Sequence, residues 1–301
     1  MKLIRYFFYA IIRYSGLFLL LNKTILRRKV AIVLYHDPKP DVFISHITFL
    51  RKYYNFISLD LLVYAIYKKN WEIIPNNSMV VTFDDGHAGN FLLFETIQKY
   101  KVHPIFYVCS GIINTNRHFW WKETCSKQVE LLKRYTNKNR LTYLKKNYNY
   151  EITKEYSDRH ALNLEEIKIL SQVATFGSHS CFHPILTSCD SEDLNNEIFS
   201  SKEMLEKITN KEFLHFCYPN GDYNDYIINQ VKKAGYISSR TIDVGWNDIN
   251  TDPFKLRITG VSDDASINKM VSQLTGITMF LRYLSRGSLQ GKHKTIKPRI
   301  E

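Results

Sequence analysis

The sequence predicts an α/β protein organised around a parallel β-barrel, and two observations support that fold class. Short, continuously apolar segments alternate with segments of helical periodicity, a pattern typical of parallel strands that are buried on both faces. Polar residues able to do chemistry follow directly after these apolar segments, where the carboxyl ends of barrel strands form one rim. A chain of 301 residues with 45% hydrophobic and 23% charged residues can bury such a core.

Seven apolar segments are predicted to be strands, and most of the residues between them carry helical spacing. The predicted strands are 30–35, 79–83, 104–108, 174–180, 213–219, 236–241 and 255–261. The predicted helices are 44–54, 59–68, 89–100, 190–208, 224–234 and 266–286. The chain is therefore divided into an apolar and basic N-terminal segment (1–28), a barrel domain (29–290) with a surface insertion at about 115–160, and a basic tail (291–301).

The N-terminal segment is apolar enough to meet a membrane. Residues 3–21 could cross a bilayer by length, but Arg5 and Arg13 interrupt them, and a charge at mid-bilayer costs roughly 2.5–3.5 kcal/mol. No clear cleavage site for a signal peptide follows. We predict a helix that lies on the membrane surface, with the basic residues of 23–29 facing anionic lipid; a helix packed on the barrel is the alternative. Either the bacterial cell envelope or the cytoplasmic face fits this prediction.

The charge balance favours anionic partners, although no nucleic-acid partner is expected. Lys and Arg number 41 against 29 Asp and Glu, which gives a formal net charge of +12. Much of the excess lies in 23–29 and 282–299, and the chain has no zinc-finger spacing, aromatic RNA-binding signature or glycine-rich phosphate loop. The five cysteines include no C-x-x-C pair, so a disulfide framework is not indicated.

Two adjacent carboxylates, Asp84 and Asp85, end a predicted strand in the sequence TFDDG (82–86). Adjacent carboxylates repel each other, and a turn at the strand end can direct both into one cleft. A metal ion removes that conflict by binding one carboxylate, which leaves the other available as a general base. Because Asp-Gly is common in turns, a turn without function explains this motif alone equally well or better.

Two histidines follow another predicted strand in the sequence HSCFH (179–183). On one helical turn, His179 and His183 lie on the same face and can bind one ion. The motif alone is weak, since the chain has 10 His. Together with one aspartate, however, the two histidines form a set that holds a divalent metal and leaves positions open for water and substrate.

The two motifs, in this order, resemble the polysaccharide deacetylase (NodB-homology) family, also called carbohydrate esterase family 4. The family's first motif, T-F-D-D-G, is complete at 82–86, and its second, H-[ST]-x-x-H, is complete at 179–183. The sequences VLYH (33–36) and YPNGDYN (218–224) also resemble many members. The resemblance runs from about residue 30 to about residue 275.

This resemblance implies a distorted (β/α)7 barrel that removes N- or O-acetyl groups from sugars. It assigns Asp84 as the general base, and it assigns Asp85, His179 and His183 as ligands of a divalent metal, most often zinc. The stretch that matches the third motif implies an oxyanion and substrate site. That stretch consists of Tyr218, whose backbone N–H is the expected oxyanion donor, with Pro219, Asn220 and Gly221.

The chain departs from the family pattern in its third, fourth and fifth motifs. The arginine that starts the third motif is replaced by Cys217, and Arg257 is one candidate to replace it in space. Of the fourth motif, only Asp243 and Trp246 remain as faint counterparts. A role for Arg257 and its being an ordinary surface cation are equally compatible with the sequence.

The late histidine that serves as general acid in the fifth motif is also missing. Some relatives have permuted strands, and in that arrangement His36 becomes the acid, with Asp37 positioning it and His87 as the rival. The expected function is removal of N-acetyl groups from a hexosamine-containing polysaccharide or lipid-linked glycan. O-acetyl ester or other C–N hydrolysis, a non-catalytic glycan-binding protein, and a basic surface module are the alternatives.

Overall fold

The computed structural model describes residues 2–278, with side chains from Tyr6 onward, and its centre is a ring of parallel strands. All seven predicted strands are present, and a short additional one, β2, pairs with the first residues of β3. The strands are β1 (Val30–Tyr35), β2 (Asn55–Phe56), β3 (Ser78–Phe83), β4 (Ile105–Val108), β5 (Thr175–Ser178), β6 (His215–Cys217), β7 (Ser238–Val244) and β8 (Leu256–Ile258).

The ring follows the order β1, β3, β4, β5, β6, β7, β8, with parallel pairing at each step. It closes where Thr259, directly after β8, donates its backbone N–H to the carbonyl oxygen of Ile32 in β1 at 2.8 Å. Closure leaves few strand edges open, and the irregular pairing of β7 with β8 makes the barrel uneven. The predicted distorted (β/α)7 barrel with an N-terminal helical extension is thus confirmed.

Helices connect the strands and cover the barrel, as the alternating pattern predicted. The helices are α1 (Lys2–Tyr14), α2 (Leu17–Lys23), α3 (Pro40–Leu50), α4 (Leu59–Tyr67), α5 (Phe94–Tyr100), α6 (Ser126–Leu132), α7 (Asn137–Tyr148), α8 (Leu164–Leu170), α9 (Ser191–Asn195), α10 (Ser201–Thr209), α11 (Asp225–Lys233) and α12 (Ile267–Leu274). A π-helical turn, Asn196–Ser200, joins α9 to α10. The later part of the predicted helix 266–286 and the predicted tail 291–301 lie outside the described residues.

An aromatic row across neighbouring strands ties the wall of the barrel to its helices. Tyr35, Phe83, Phe106 and Phe176 are paired in register, and successive rings stack at centroid distances of 5.7, 4.6 and 5.5 Å. All four belong to an apolar cluster that includes residues of α3, α5, α8, α10 and α12. This packing makes the wall rigid just below the point where β1, β3 and β5 end.

The insertion, residues 115–160, folds around its own small apolar cluster. Trp120, Leu132, Leu144 and Tyr150 are all nearly or fully buried there, between α6, α7 and the flanking loops. The guanidinium of Arg140, also buried, lies 4.7 Å from the centroid of the Trp120 ring. The insertion was predicted on the surface. Its aromatic residues reach the rim formed by the carboxyl ends of the strands, where the candidate catalytic and metal-binding residues lie.

Candidate active site

The turn after β3 directs both acidic residues into the barrel mouth. Asp85 has a φ of 72° and Gly86 a φ of 75°, so two successive residues adopt the left-handed conformation. Asp is one of the few residues that enter this region at low cost, and a Cβ on Gly86 would stand only 2.7 Å from a methyl carbon of Val108. The carboxylates of Asp84 and Asp85 are consequently both buried in one cleft.

Asp84 is paired with a buried arginine that comes from β7. The Arg240 guanidinium bonds both carboxylate oxygens of Asp84, and it also donates to the Cys217 sulfur at 2.8 Å. Burial alone would raise the pKa of Asp84, but Arg240 and, less strongly, His179 and His36 hold that pKa below its ordinary value. Asp84 is therefore ionised at neutral pH and held in one orientation.

Asp85, His179 and His183, together called the barrel triad, present three ligand atoms to one point. The Oδ1 atom of Asp85 lies 3.6 Å from the Nε2 atoms of both histidines. That oxygen is buried and has no hydrogen-bond partner among the described residues. A buried, unsatisfied carboxylate oxygen is costly, so the arrangement calls for a cation.

The hydrogen bonds of the two rings support the same conclusion. His179 donates its Nδ1–H to the carbonyl oxygen of Cys217 at 2.8 Å, which leaves Nε2 as the ring nitrogen that faces Asp85. Burial, together with the neighbouring His179, lowers the pKa of His183 to about 3, so the His183 ring is neutral. The Nε2 atoms of both rings approach the same carboxylate oxygen, as ligands around one ion would. The barrel triad therefore fits the divalent metal that the sequence predicts.

His87 orients the aspartate of the barrel triad rather than serving as an obvious acid. Its Nε2–H donates to Oδ2 of Asp85 at 3.1 Å, and its ring packs edge-on against Phe119 of the insertion. Burial opposes ionisation of Asp85, but the bond from His87 and the nearby His183 hold the pKa of Asp85 well below its ordinary value. Oδ1 remains the oxygen available to a metal.

The loop that carries His183 is fixed by residues from two other elements. Glu197, on the π-helical turn, accepts the backbone N–H groups of Cys181 at 2.8 Å and of Phe182 at 2.9 Å. Trp120 of the insertion donates its indole N–H to the His183 carbonyl oxygen at 3.0 Å, and Trp121 packs against the His183 ring. Support of this kind from outside the ligands sets their orientation and tunes metal affinity.

The arginine beside the base was the main site residue that the sequence analysis missed. Arg257 is exposed on β8 and its side chain packs beside Gly245, so it does not replace the missing arginine. Arg240 does so, because it is the register partner of Cys217 on the adjacent strand. One signal was available: Arg240 is the one charged residue in the otherwise uncharged run SSRTI (238–242), within a predicted strand.

The prediction that the backbone N–H of Tyr218 is free to bind an oxyanion is also wrong. The backbone N–H of Tyr218 donates to the carbonyl oxygen of Arg240 at 3.2 Å, within the pairing of β6 with β7. This N–H is thus already engaged. Pro219, Asn220 and Gly221 form a tight turn directly beyond it, in which Asn220 and Gly221 both have positive φ. The turn lies at the same rim as the barrel triad, since it follows β6 as His179 follows β5.

His36 lies at the end of β1, exposed at the mouth of the cleft. Its charge acts on both Asp84 and Asp85, as a residue close to these carboxylates must. Asp263 accepts the backbone N–H groups of His36 and Asp37 at 3.0 to 3.3 Å, which fixes this corner. The Asp37 carboxylate packs against Gly89 and makes no bond to the His36 ring within residues 2–278.

The residual fourth motif does not support the base. Asp243 accepts a hydrogen bond from the Tyr223 hydroxyl at 2.5 Å and does not contact Arg240. Trp246 is half-buried and packs against the apolar cluster between strands and helices. The base nevertheless has an arginine partner, because Arg240 pairs directly with Asp84.

Comparisons with known proteins agree with this site. The family model described as polysaccharide deacetylase matches residues 74–238, which is more than half of the chain and contains both metal motifs. The peptidoglycan-N-acetylmuramic acid deacetylase PdaA of Bacillus subtilis (strain 168) is 34% identical over 162 residues. That alignment covers 53% of this chain and 44% of PdaA, so the chain spans less than half of this relative's length.

Solved structures share the fold at low sequence identity. The Streptococcus pyogenes deacetylase PplD, in complex with acetate, superposes with a TM-score of 0.60 at 18% identity, over 80% of this chain and 98% of that one. A de-N-acetylase from Aggregatibacter actinomycetemcomitans gives a TM-score of 0.59 at 14% identity, over 81% and 99% of the two chains. With the family match over residues 74–238, the conclusion is direct: the chain belongs to the polysaccharide deacetylase family.

Proposed function

We propose that the protein is a metal-dependent hydrolase that removes N-acetyl groups from a hexosamine-containing glycan, either a polysaccharide or a lipid-linked precursor. The observation that carries this proposal is the buried Oδ1 atom of Asp85, which faces the Nε2 atoms of two imidazoles without a hydrogen-bond partner among the described residues. Beside it, Asp84 is ionised and fixed by Arg240. A ligand set next to an oriented carboxylate base suits hydrolysis of an acyl bond.

The barrel triad would hold the metal, and zinc suits two imidazoles with one carboxylate. A divalent cation there supplies Lewis acidity, which makes a water more acidic and polarises an acyl oxygen. Asp84 accepts the proton of the attacking water. Arg240 keeps that carboxylate in place and ionised, so that proton transfer needs no rearrangement of the base.

His36 is proposed as the acid that protonates the leaving amine. Its exposed position directly after β1, close enough to act on Asp84, lets it reach a leaving group that points toward solvent. His87 is the weaker candidate, because its Nε2–H is already donated to Asp85. The turn from Pro219 to Gly221, at the same rim, is proposed to line the glycan.

The substrate class follows from the relatives rather than from a contact. PdaA is named for an N-acetylmuramic acid substrate, and N-acetyl hexosamines are the class proposed for this chain. O-acetyl ester hydrolysis remains the second activity to assay at the same site. The departures in the third, fourth and fifth motifs prompted the alternative of a non-catalytic glycan-binding protein. Arg240 replaces the missing arginine of the third motif beside Asp84, which counts against that alternative.

The decisive experiment measures metal content and acetate release on the full chain. We expect about one metal per chain after zinc loading, with acetate released from N-acetylglucosamine oligomers or peptidoglycan glycan strands. Asp84→Asn should keep the metal and lose turnover, because the metal ligands stay intact while the base is gone. The matched control is Asp243→Asn, at a carboxylate that accepts a hydrogen bond from the Tyr223 hydroxyl, which should retain both.

Three other results would count against parts of the proposal. Acetate released only from O-acetylated sugars would reassign the substrate to the ester. Metal bound without any acetate release would favour a binding protein. If the wild-type chain binds no divalent metal, the proposal of a metal-dependent hydrolase is overturned.

A further inference from the structure

Exposed apolar side chains are concentrated at the N-terminus. Of the sixteen large hydrophobic residues that are exposed among residues 6–278, seven lie within the first 25 positions. Proteins normally scatter such residues, and a contiguous group of them marks a surface that another body covers. The seven are Tyr6, Phe7, Ile11, Tyr14, Leu19, Leu20 and Ile25.

These residues form one face of α1 and α2, opposite the face that packs on the barrel. Phe7, Ile11 and Tyr14 are spaced by four and three positions, so they lie along one side of α1. Ile12 and Phe18 point the other way and are at most 5% exposed, and Phe18 packs against three aromatic rings of α3 and the segment after it. The two helices are therefore anchored through their inner face, and their outer face is left uncovered by residues 6–278.

Arg13, which seemed to interrupt this apolar surface in the sequence, does not lie on it. Its guanidinium donates to the side-chain oxygen of Asn268 in α12 at 2.7 Å and stands 5.4 Å from the Phe49 ring centroid. The cation is thus used internally, to hold α1 against α12. The outer face can then enter an apolar phase without carrying this charge along.

The charged residues of the segment that forms this face are all basic, although Arg28 and Lys29 pair with Glu72 and Asp248 of other segments. Residues 1–29 contain seven Lys or Arg residues and no Asp or Glu. Lys23 and Arg27 are exposed beside the end of α2. A second copy of the same face would bring these cations together, which costs free energy, whereas an anionic surface would be attracted.

We propose that the outer face of α1 and α2 docks the protein onto an anionic lipid bilayer. Its helices lie in the plane of the interface, with Phe7, Ile11 and Leu20 among the acyl chains and Lys23 and Arg27 at the phosphate level. No helix in residues 2–278 has the length and apolarity needed to cross the bilayer. This surface is separate from the proposed catalytic cleft and extends the function by placing the protein where lipid-linked or membrane-proximal glycans occur.

The test is flotation of the full chain with vesicles of phosphatidylcholine, with and without a quarter of phosphatidylglycerol. We expect binding to the anionic vesicles, weakened at high salt. Phe7→Ser with Ile11→Ser should lower the partition coefficient by about tenfold or more, because two buried apolar side chains are lost. Lys23→Gln with Arg27→Gln should lower it by about fivefold per charge on anionic vesicles only.

The matched control replaces two equally exposed aromatics elsewhere, Tyr64→Ser with Tyr226→Ser, and should leave vesicle binding unchanged. Thermal unfolding of each variant guards against loss of the fold. Failure of the wild-type chain to bind anionic vesicles would overturn the proposal, as would equal losses in the control. A dimer that dissociates in the Phe7→Ser and Ile11→Ser variant would assign the face to a second copy instead. Vesicle binding needs no turnover, so its failure leaves the deacetylase proposal standing.

Discussion

Two clusters of one aspartate and two histidines occur among the described residues of this protein, and one of the two is arranged to hold a metal. The second cluster, called the insertion triad, lies in the insertion and again brings three ligand atoms close together. In composition and spacing the two clusters are alike, so residue type alone does not separate them. The members of the insertion triad are His118, Asp158 and His160.

The difference lies in what the ring nitrogens already do. Both ring nitrogens of His118 already face carboxylates, Glu123 at 2.8 Å and Asp158 at 3.2 Å, so each is engaged in a contact of its own. His160 accepts the Phe119 backbone N–H on Nδ1, which puts its proton on Nε2, the atom that faces Asp158. The Asp158 side chain is 66% exposed and solvated. In the barrel triad, by contrast, the lone pairs converge and the carboxylate oxygen is buried. Metal sites are therefore recognised by unused lone pairs, not by ligand counts.

The largest effect should be the loss of bound metal when the barrel triad is disrupted and the insertion triad is left intact. We predict that Asp85→Asn lowers bound metal from about one per chain to nearly none, because the one anionic ligand is lost. His160→Ala, at the insertion triad, should leave the metal content unchanged. Elemental analysis of the two purified variants checks this, and metal loss in His160→Ala would show that the two clusters are not as different as their hydrogen bonds indicate.

The second-largest effect should follow from removing the ion pair between Arg240 and Asp84. Arg240→Met leaves a buried carboxylate without its cation, so we expect a loss of about 3–5 kcal/mol in the free energy of unfolding and a collapse of turnover. Arg257→Met, on the exposed outer position of β8, is the matched control and should change little. Urea denaturation followed by tryptophan fluorescence measures both. Equal losses in the two variants would refute the assignment of Arg240.

A smaller effect is predicted at His87, which holds the Asp85 carboxylate from outside the ligand set. Removing such a partner usually weakens metal affinity by about 10–100-fold, and we expect this range for His87→Ala. His103→Ala is the control, at an exposed histidine that precedes the amino end of β4, whereas the cleft lies at the carboxyl ends of the strands. Competition with a chromogenic chelator gives both dissociation constants. An unchanged affinity in His87→Ala would mean that Asp85 is oriented by its turn alone.

The smallest effect concerns Glu197, which supports the loop of His183. Burial raises the pKa of Glu197 to about 6, against 4.5 as its ordinary value. The folded state therefore favours the protonated form of Glu197, so the contribution of this residue to stability is largest below pH 4.5 and is lost as the pH rises through 6. The loss amounts to about 2 kcal/mol at most, from a shift of about 1.5 units.

Glu197→Gln should remove this pH dependence, while Glu192→Gln, at an exposed neighbour, should keep it. Metal-free protein in chelator, unfolded by urea at several pH values between 4 and 7, isolates this contribution from metal binding. A variant at Glu197 whose stability still falls like the wild type over that interval would contradict the predicted role.

The strands and the grouping of Asp85 with the two histidines were accessible from the sequence because their signals are local. A run such as Val30–Tyr35 is apolar at every position, and each metal motif fits within five residues. Arg240 and the engaged N–H of Tyr218 were not accessible, because both depend on how β6 aligns with β7. Register between strands is set by packing around the whole barrel, which no local pattern records. The contact of Trp121 with His183 was hidden for the same reason.

In this chain the arginine beside the base comes from β7 and not from β6, and this difference affects how a motif search classifies such chains. Cys217 and Arg240 are neighbours across one rung of the barrel, so a guanidinium from either strand can reach the same carboxylate. Motif scoring examines one alignment column at a time and would count this chain as lacking its arginine. A test for catalytic competence should instead examine both register positions and ask whether either strand supplies a cation there. By that test the chain is classed among the enzymes.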